Sequence, residues 1–336
     1  MSMPSGRPAA LPAAVTATAL LCAAAGSVLV GPSGLSPAAV VHGLLHPHTF
    51  DGLVVWQLRL PRIAAAALVG AALALAGAVL QGVFRNPLTD PYVVGGASGA
   101  AFGATVTLLV APAALATGLL PVGAFAGALG AVGLALVVAA RSPARAAVTL
   151  LLVGYAVSVI LGAAISLLLL IERQNLQQIL FWELGSVADA TWPAIRIALP
   201  LIALGSLAPF AYRAELDALL LGEGDAASLG VDVGRVRLLL VASAALLTAV
   251  AVGLAGVIGF VGLVAPHAVR RLVGPGHRRL LPAAALAGAA FLVAADTAAR
   301  ALPSVGEIPI GVVTALVGGP MFIYLLTTRR LGPALG

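Results

Sequence analysis

The chain reads as a succession of long apolar runs separated by short polar breaks. Runs near 11–30, 54–84, 93–111, 119–140, 147–170, 193–211, 236–256, 259–269, 280–300 and 308–327 predict ten helices. Most approach or exceed the ~20 apolar residues a helix needs to cross ~30 Å of hydrocarbon. The run at 259–269 is too short to cross alone, so a topology that merges it with the run before it competes with ten spans. The arginines decide between the two, because cytoplasmic loops gather basic residues. With ten spans and a cytoplasmic N-terminus, all of the arginines lie inside except Arg59, Arg62, Arg173, Arg196 and Arg300. Merging the runs sends most of them outside. The expectation is ten spans, both termini in the cytoplasm, and a first run that is a span. Although Arg7 and the following apolar stretch have the look of a secretory signal, a clear polar cleavage region is missing.

Composition sharpens this into an all-α integral membrane protein, one domain over 1–336. Hydrophobic residues make up 61% and charged residues 9%, against roughly 25% charged in soluble domains. The 39 glycines suit membrane helices that pack backbone to backbone, and the scarcity of aromatics argues against an outer-membrane barrel. All 18 basic residues are arginine. A phosphate-binding P-loop needs a lysine and so does a Schiff-base enzyme, so the chain is read as neither. The net charge of +6 fits arginines anchoring helix ends better than the clustered stripe that nucleic acid wants. Cys22 stands alone, which excludes an internal disulfide.

The longest polar excursion is 212–237, YRAELDALLLGEGDAASLGVDVGRVR. It carries Glu215, Asp217, Glu223, Asp225 and Asp232 beside Arg213, Arg235 and Arg237. Gly222 and Gly224 break the run LDALLL, and Asp225 is placed to cap a short helix, DAASLG, ended by Gly230. No nucleophile–base pair accompanies it. A short capped helix between two loops, on the cytoplasmic side, is a docking device.

Other positions stand out less sharply. Arg59 and Arg62 flank Pro61, which fits the first turn of a helix; the pair either snorkels to headgroups or forms a basic platform for an acidic partner. The loop FRNPLTDP makes a tight turn, with Asn86 and Leu88 where the bundle closes from inside. Between the fifth and sixth runs, Leu176, Ile179, Leu180 and Leu184 have helical spacing, and Trp182 and Trp192 suit the interface. This stretch predicts a short outer helix lying over a path. Asp296 and Arg300 share a helix face and read as a structural ion pair. No carboxylate is clearly placed in the middle of a span, which disfavours an ion-coupled carrier. His42, His46 and His48 share one outer loop but lack the partners of a metal site.

At this point an ordered series of motifs resembles a known family. RLPR at 59–62, LQGVFRNPLTDP at 80–91, LLLVGYAVS at 150–158, FWELGS at 181–186 and GEGDAASLGV at 222–231 are followed by GVIGFVGLVAPHAVRRLVG at 256–274, HRRLLP at 277–282 and EIPIGVVTALVGGPMF at 307–322. They are similar to the permease subunit of type II ABC importers for iron–siderophore complexes, haem and vitamin B12, the FecCD/BtuC family. The resemblance implies a ten-transmembrane-helix bundle paired with a second copy or a paralogue. It also implies two cytoplasmic ABC ATPase subunits and an extracytoplasmic binding protein. ATP and its magnesium would sit on the ATPase, with no cofactor on this chain. Carried over by position, Arg59, Arg62 and Arg300 would face acidic residues of the binding protein. Leu221, Gly222, Glu223, Gly224, Asp225, Ala226, Ser228, Leu229 and Gly230 would dock the ATPase. Asn86 and Leu88 match an inner gate. Ala147, Val148 and Thr149 match a second gate, although a hydroxyl-bearing pair of the B12 permease is replaced here by Ala and Val. Leu176, Ile179 and Trp182 would belong to the outer lid. The resemblance favours an iron(III)–siderophore-type cargo, with vitamin B12 or haem as the alternative.

Overall fold

The structure, a computed structural model, describes residues 10–31, 34–111, 113–141, 146–171, 182–301 and 307–328. Among these residues every regular element is helical. Each apolar run lies on a helix. In chain order the helices are α1 (Ala10–Leu29), α2 (Pro37–Leu45), α3 (Phe50–Leu53), α4 (Leu60–Val83), α5 (Gly96–Val110), α6 (Ala113–Ala140) and α7 (Ala146–Ile171). They continue with α8 (Trp192–Ala211), α9 (Arg213–Leu221), α10 (Glu223–Ser228), α11 (Val233–Ala255), α12 (Val261–Val273), α13 (His277–Arg300) and α14 (Ile310–Thr328). Among the described residues, Phe50–Val83, Gly118–Ala139, Thr149–Leu170, Trp192–Ala211, Val233–Ala255 and His277–Arg300 are six segments long and apolar enough to cross a membrane. Ala14–Leu29, Gly96–Val110 and Ile310–Tyr324 are shorter apolar helices.

Helix α4 is the axis of the bundle, packed against α11, α12 and α13. Its small residues let backbones touch. A Cβ on Gly70 would collide with the Gly288 backbone of α13, and one on Gly77 with the Gly262 backbone of α12. Leu73, Leu80, Leu240, Leu247 and Leu292 fill the spaces between these crossings. Without a hydrophobic force between helices in lipid, such close contact is what holds them together.

Pro61 sits in the first turn of α4, as expected, but the helical path starts before it. A π-helical segment, Val54–Arg59, joins α3 to α4, and the Leu60 N–H reaches back five residues to the Val55 carbonyl. The wider turn absorbs the N–H that Pro61 lacks, so the helix runs on through the proline.

The runs 236–256 and 259–269 are separate helices. Between α11 and α12 the chain leaves helical geometry, starting at Gly256 with φ of 69°. Ser186 N–H donates to the Ala255 carbonyl at 2.8 Å, and Ile310 and Gly311 N–H donate to Gly185 and Leu184 at 3.1 Å. These bonds hold the break, the segment after the lid region and the start of α14 together. Among the described residues, α2, capped by Ser36, α3, α9 and α10 lie outside the apolar runs.

Candidate functional site

The end of the bundle that the arginine bias assigns to the cytoplasm is called the inner end here. Its most exposed feature is α10. The local sequence explains its shape. Leu219 ends α9 by accepting from Gly222 N–H at 3.2 Å, and Gly222 then takes φ of 130°, a conformation that favours glycine. After α10, Gly230 N–H donates to Ala227 at 2.9 Å and Val231 N–H to Ala226 at 3.1 Å, with Gly230 at φ of 84°. This paired closure is the Schellman end expected at Gly230. The start differs from expectation. Asp225 is the third residue of α10 rather than its cap, and Gly222 holds the cap position with no side-chain bond. Glu223 and Asp225 therefore act on the helix through its dipole.

Ala226 is buried and anchors α10, while Leu221, Glu223, Gly224, Asp225, Ser228, Leu229 and Gly230 are exposed. Leu221 and Leu229 are 64% and 66% exposed, flanked by acids. Glu223 pairs with Arg237 of α11, and Asp232 caps α11 by accepting from Arg235 N–H at 3.0 Å. The surface is thus a firmly mounted, partly apolar, acidic knob.

Behind it, α9 ties the knob to the core. Leu216 is fully buried. Asp217 accepts from the His277 N–H at 2.9 Å and from its ring Nδ1 at 2.6 Å, capping α13 from another helix. The His277 ring lies on Gly82, where an added Cβ would come within 2.8 Å of Nε2. Just beyond, α4 closes with Asn86 N–H on the Gln81 carbonyl and Arg85 N–H on Gly82. Arg85 has φ of 52°, the left-handed position that usually takes glycine. The Asn86 side chain accepts from Leu88 N–H at 3.0 Å, an Asx turn. Asn86 is exposed and Leu88 partly so. A cavity of about 280 Å³ lies among these parts, lined by Gln81, Arg85, Pro87, Leu220, Arg270, Pro275 and His277.

The outer end answers differently from expectation. Arg59, Arg62 and Arg300 do not form an open platform. Arg59 is 4% exposed and donates to the Val28 carbonyl at the end of α1. Arg300 donates to the Val30 carbonyl and, at 2.7 Å, to Ser27 Oγ. It also bonds Asp296 at 3.1 Å, the ion pair read from their spacing. Arg62 grips both Asp296 oxygens, with its shortest bond at 2.8 Å, and also pairs with Glu307. The physical reason is the unpaired carbonyls that end a helix. Guanidinium groups satisfy those of α1 and bind it to α4 and α13. The sequence places arginines at this end but does not show that α1 brings carbonyls to them.

Asp90, in no span but between the inner turn and α5, is partly buried, accepts from Tyr92 N–H at 2.9 Å and lies beside the backbone that opens α12. On the outer loop, His42 stacks on His46 and approaches Asp51 at 3.5 Å; among the described residues no cluster suits a metal. Leu176 and Ile179 lie outside the described residues. Trp182 follows them, its carbonyl close against Gly256. Ala147 and Val148 are in the first turn of α7, their side chains outside the described residues, and Thr149 is partly buried.

Comparison with known proteins adds to this geometry. The profile of the FecCD transport family matches residues 18–328. A cobalamin import system permease protein, BtuC, of Halobacterium salinarum is 48% identical over 279 residues, covering 83% of this chain and 74% of that one. The hemin transport system permease HmuU of Yersinia pestis is 40% identical, covering 82% and 84%. A solved ABC transporter described as of metal-chelate type, in an inward-facing conformation, superposes with TM-score 0.83 at 34% identity, covering 94% and 99%.

Proposed function

This chain belongs to the FecCD transport family, a multi-pass membrane permease of an ABC importer, and from that premise we propose how it is assembled and what it moves. The bundle spans the cytoplasmic membrane ten times as one domain, with both termini inside. The short helices α5, α12 and α14 complete crossings with the segments beside them. Two copies, or this chain and a paralogue, enclose a path lined by α7. Two ABC ATPase subunits supply ATP and magnesium from the cytoplasm, and an extracytoplasmic protein delivers the cargo.

The ATPase docks on Leu221, Gly222, Glu223, Gly224, Asp225, Ala226, Ser228, Leu229 and Gly230. The observation that carries this reading is the α10 knob: apolar side chains left in water and ringed by acids, on a rigid mount. Asp217 and His277 pass its motion to the turn at Asn86 and Leu88, which closes the path with Ala147, Val148 and Thr149. Outside, Leu176, Ile179 and Trp182 belong to the lid. Arg59, Arg62 and Arg300 brace the rim on which the binding protein lands. Among them Arg62 is the one with a half-exposed carboxylate partner, Glu307.

The cargo is an organic chelate of a transition metal. An iron(III)–siderophore type is the first reading, and the similarity to a cobalamin permease favours a corrinoid as the second. The assembled importer should retain one of the two on its binding protein, and mass spectrometry of the copurified ligand decides. Recovery of a metal-free solute would refute the chelate reading.

A further inference from the structure

The non-helical break between α11 and α12, with Ile258 fully buried, leaves backbone N–H groups that helical bonding does not satisfy. Two residues of the 84–95 loop supply what is missing. The Tyr92 hydroxyl accepts from Ile258 N–H at 3.0 Å. The Asp90 carboxylate accepts from Tyr92 N–H at 2.9 Å and lies against the Phe260 N–H. Phe260 has φ of 67° and opens α12 with no side-chain cap of its own. Pro91 packs on Gly262, which also meets Gly77. Gly77 precedes the inner end of α4 by six residues, so this contact lies about 9 Å inside that end.

An acid at such depth is expensive to keep ionised, and marks a function rather than filler. Neutral Asn or Ser would cap a helix about as well. A carboxylate adds attraction to the positive end of α12, where the Phe260 N–H faces it, and strengthens the bond it accepts from Tyr92. The loop is also fastened at its start. The Gln81 side chain donates to the Gly262 carbonyl at 3.1 Å and accepts from Arg270 at 3.1 Å. The end of α4 that leads into the loop and the Asp90–Tyr92 stretch within it are therefore both tied to α12 and the break before it, and α12 leads to the cytoplasmic arginines.

We propose that Asp90 is a positioning residue that clamps the 84–95 loop to the N-terminus of α12, so that the two move as one body. Its role in transport rests on the reading of Asn86 and Leu88 as the inner gate.

The test uses the full chain in lipid nanodiscs with its ATPase bound, followed by hydrogen exchange. Asp90→Asn keeps an acceptor and loses the charge. Exchange at 84–95 and 256–262 should rise about tenfold, the difference between a charged and a neutral acceptor. Asp90→Ala should loosen both segments further, and Asp90→Glu should restore protection. Tyr92→Phe should loosen 256–260 while leaving Asp90 in place. Exchange in α13 should not change in any of them. If Asp90→Asn exchanges like the parent, or Asp90→Glu like Asp90→Ala, there is no clamp. Labelling of Leu88→Cys by a membrane-impermeant maleimide separates the second reading. Faster labelling when Asp90 is neutralised supports gating, whereas looser exchange with unchanged labelling keeps the clamp and removes the gate.

Discussion

The two ends of this bundle pair an aspartate with basic side chains at a helix terminus and bury the pair to very different degrees. At the outer end Asp296, Arg62 and Arg300 are 1%, 12% and 3% exposed in their side chains. At the inner end His277 is 1% exposed, but its partner Asp217 is 43% exposed. A fully enclosed network has one arrangement, because losing any member strands a charge away from water. A pair with one member in water tolerates rearrangement when a partner pushes on it. The outer end is constructed as a brace and the inner end as a joint.

The sharpest way to break this contrast is Asp296→Ala, which leaves Arg62 and Arg300 without their shared carboxylate. Stability should fall by about 3–5 kcal/mol, read as a large drop in the melting temperature of detergent-solubilised protein. A shift near zero would mean the outer network is not a brace. Asp217→Ala comes next. It removes the cap of α13 and strands the His277 ring donor, at a cost of about 1–3 kcal/mol. Equal losses for the two variants would erase the distinction between the ends.

Arg85→Gly tests the turn between them. Replacing a side chain held at φ of 52° should stabilise the chain by up to about 1 kcal/mol, and destabilisation would show that the guanidinium contributes more than its backbone costs. The smallest effect on stability belongs to Leu229→Ser, within about 0.5 kcal/mol as for exposed positions generally. It should nevertheless reduce copurification of the ATPase with the permease. Undiminished copurification would remove Leu229 from the docking surface.

The inner knob was legible in the sequence because its determinants are local. Gly222, Gly230 and the acids between them act within a few residues of one another, and the same is true of Asn86 and its turn. Even there the sequence misassigned Asp225 as the cap. Capping depends on which residue leaves helical geometry first, and Gly222 with its positive φ does so. Asp90 was not legible as an interior acid. Its sequence context, TDP, is that of a surface turn, and only the neighbouring break at Gly256–Phe260 gives it backbone to bind.

The sequence by itself determined the helical class, the membrane setting, the positions of the apolar runs and the polar segment at 212–237. Each follows from composition and from periodicities that a window of twenty residues contains. The tertiary structure decided what the arginines at the outer end do. Arg62 meets Asp296 across 234 positions of chain, and Arg300 meets Val30 across 270. A guanidinium carries five donors that suit solvent, a partner's carboxylate or the open end of a helix equally well. Which of them it meets depends on the helices that close packing through glycine brings to its side.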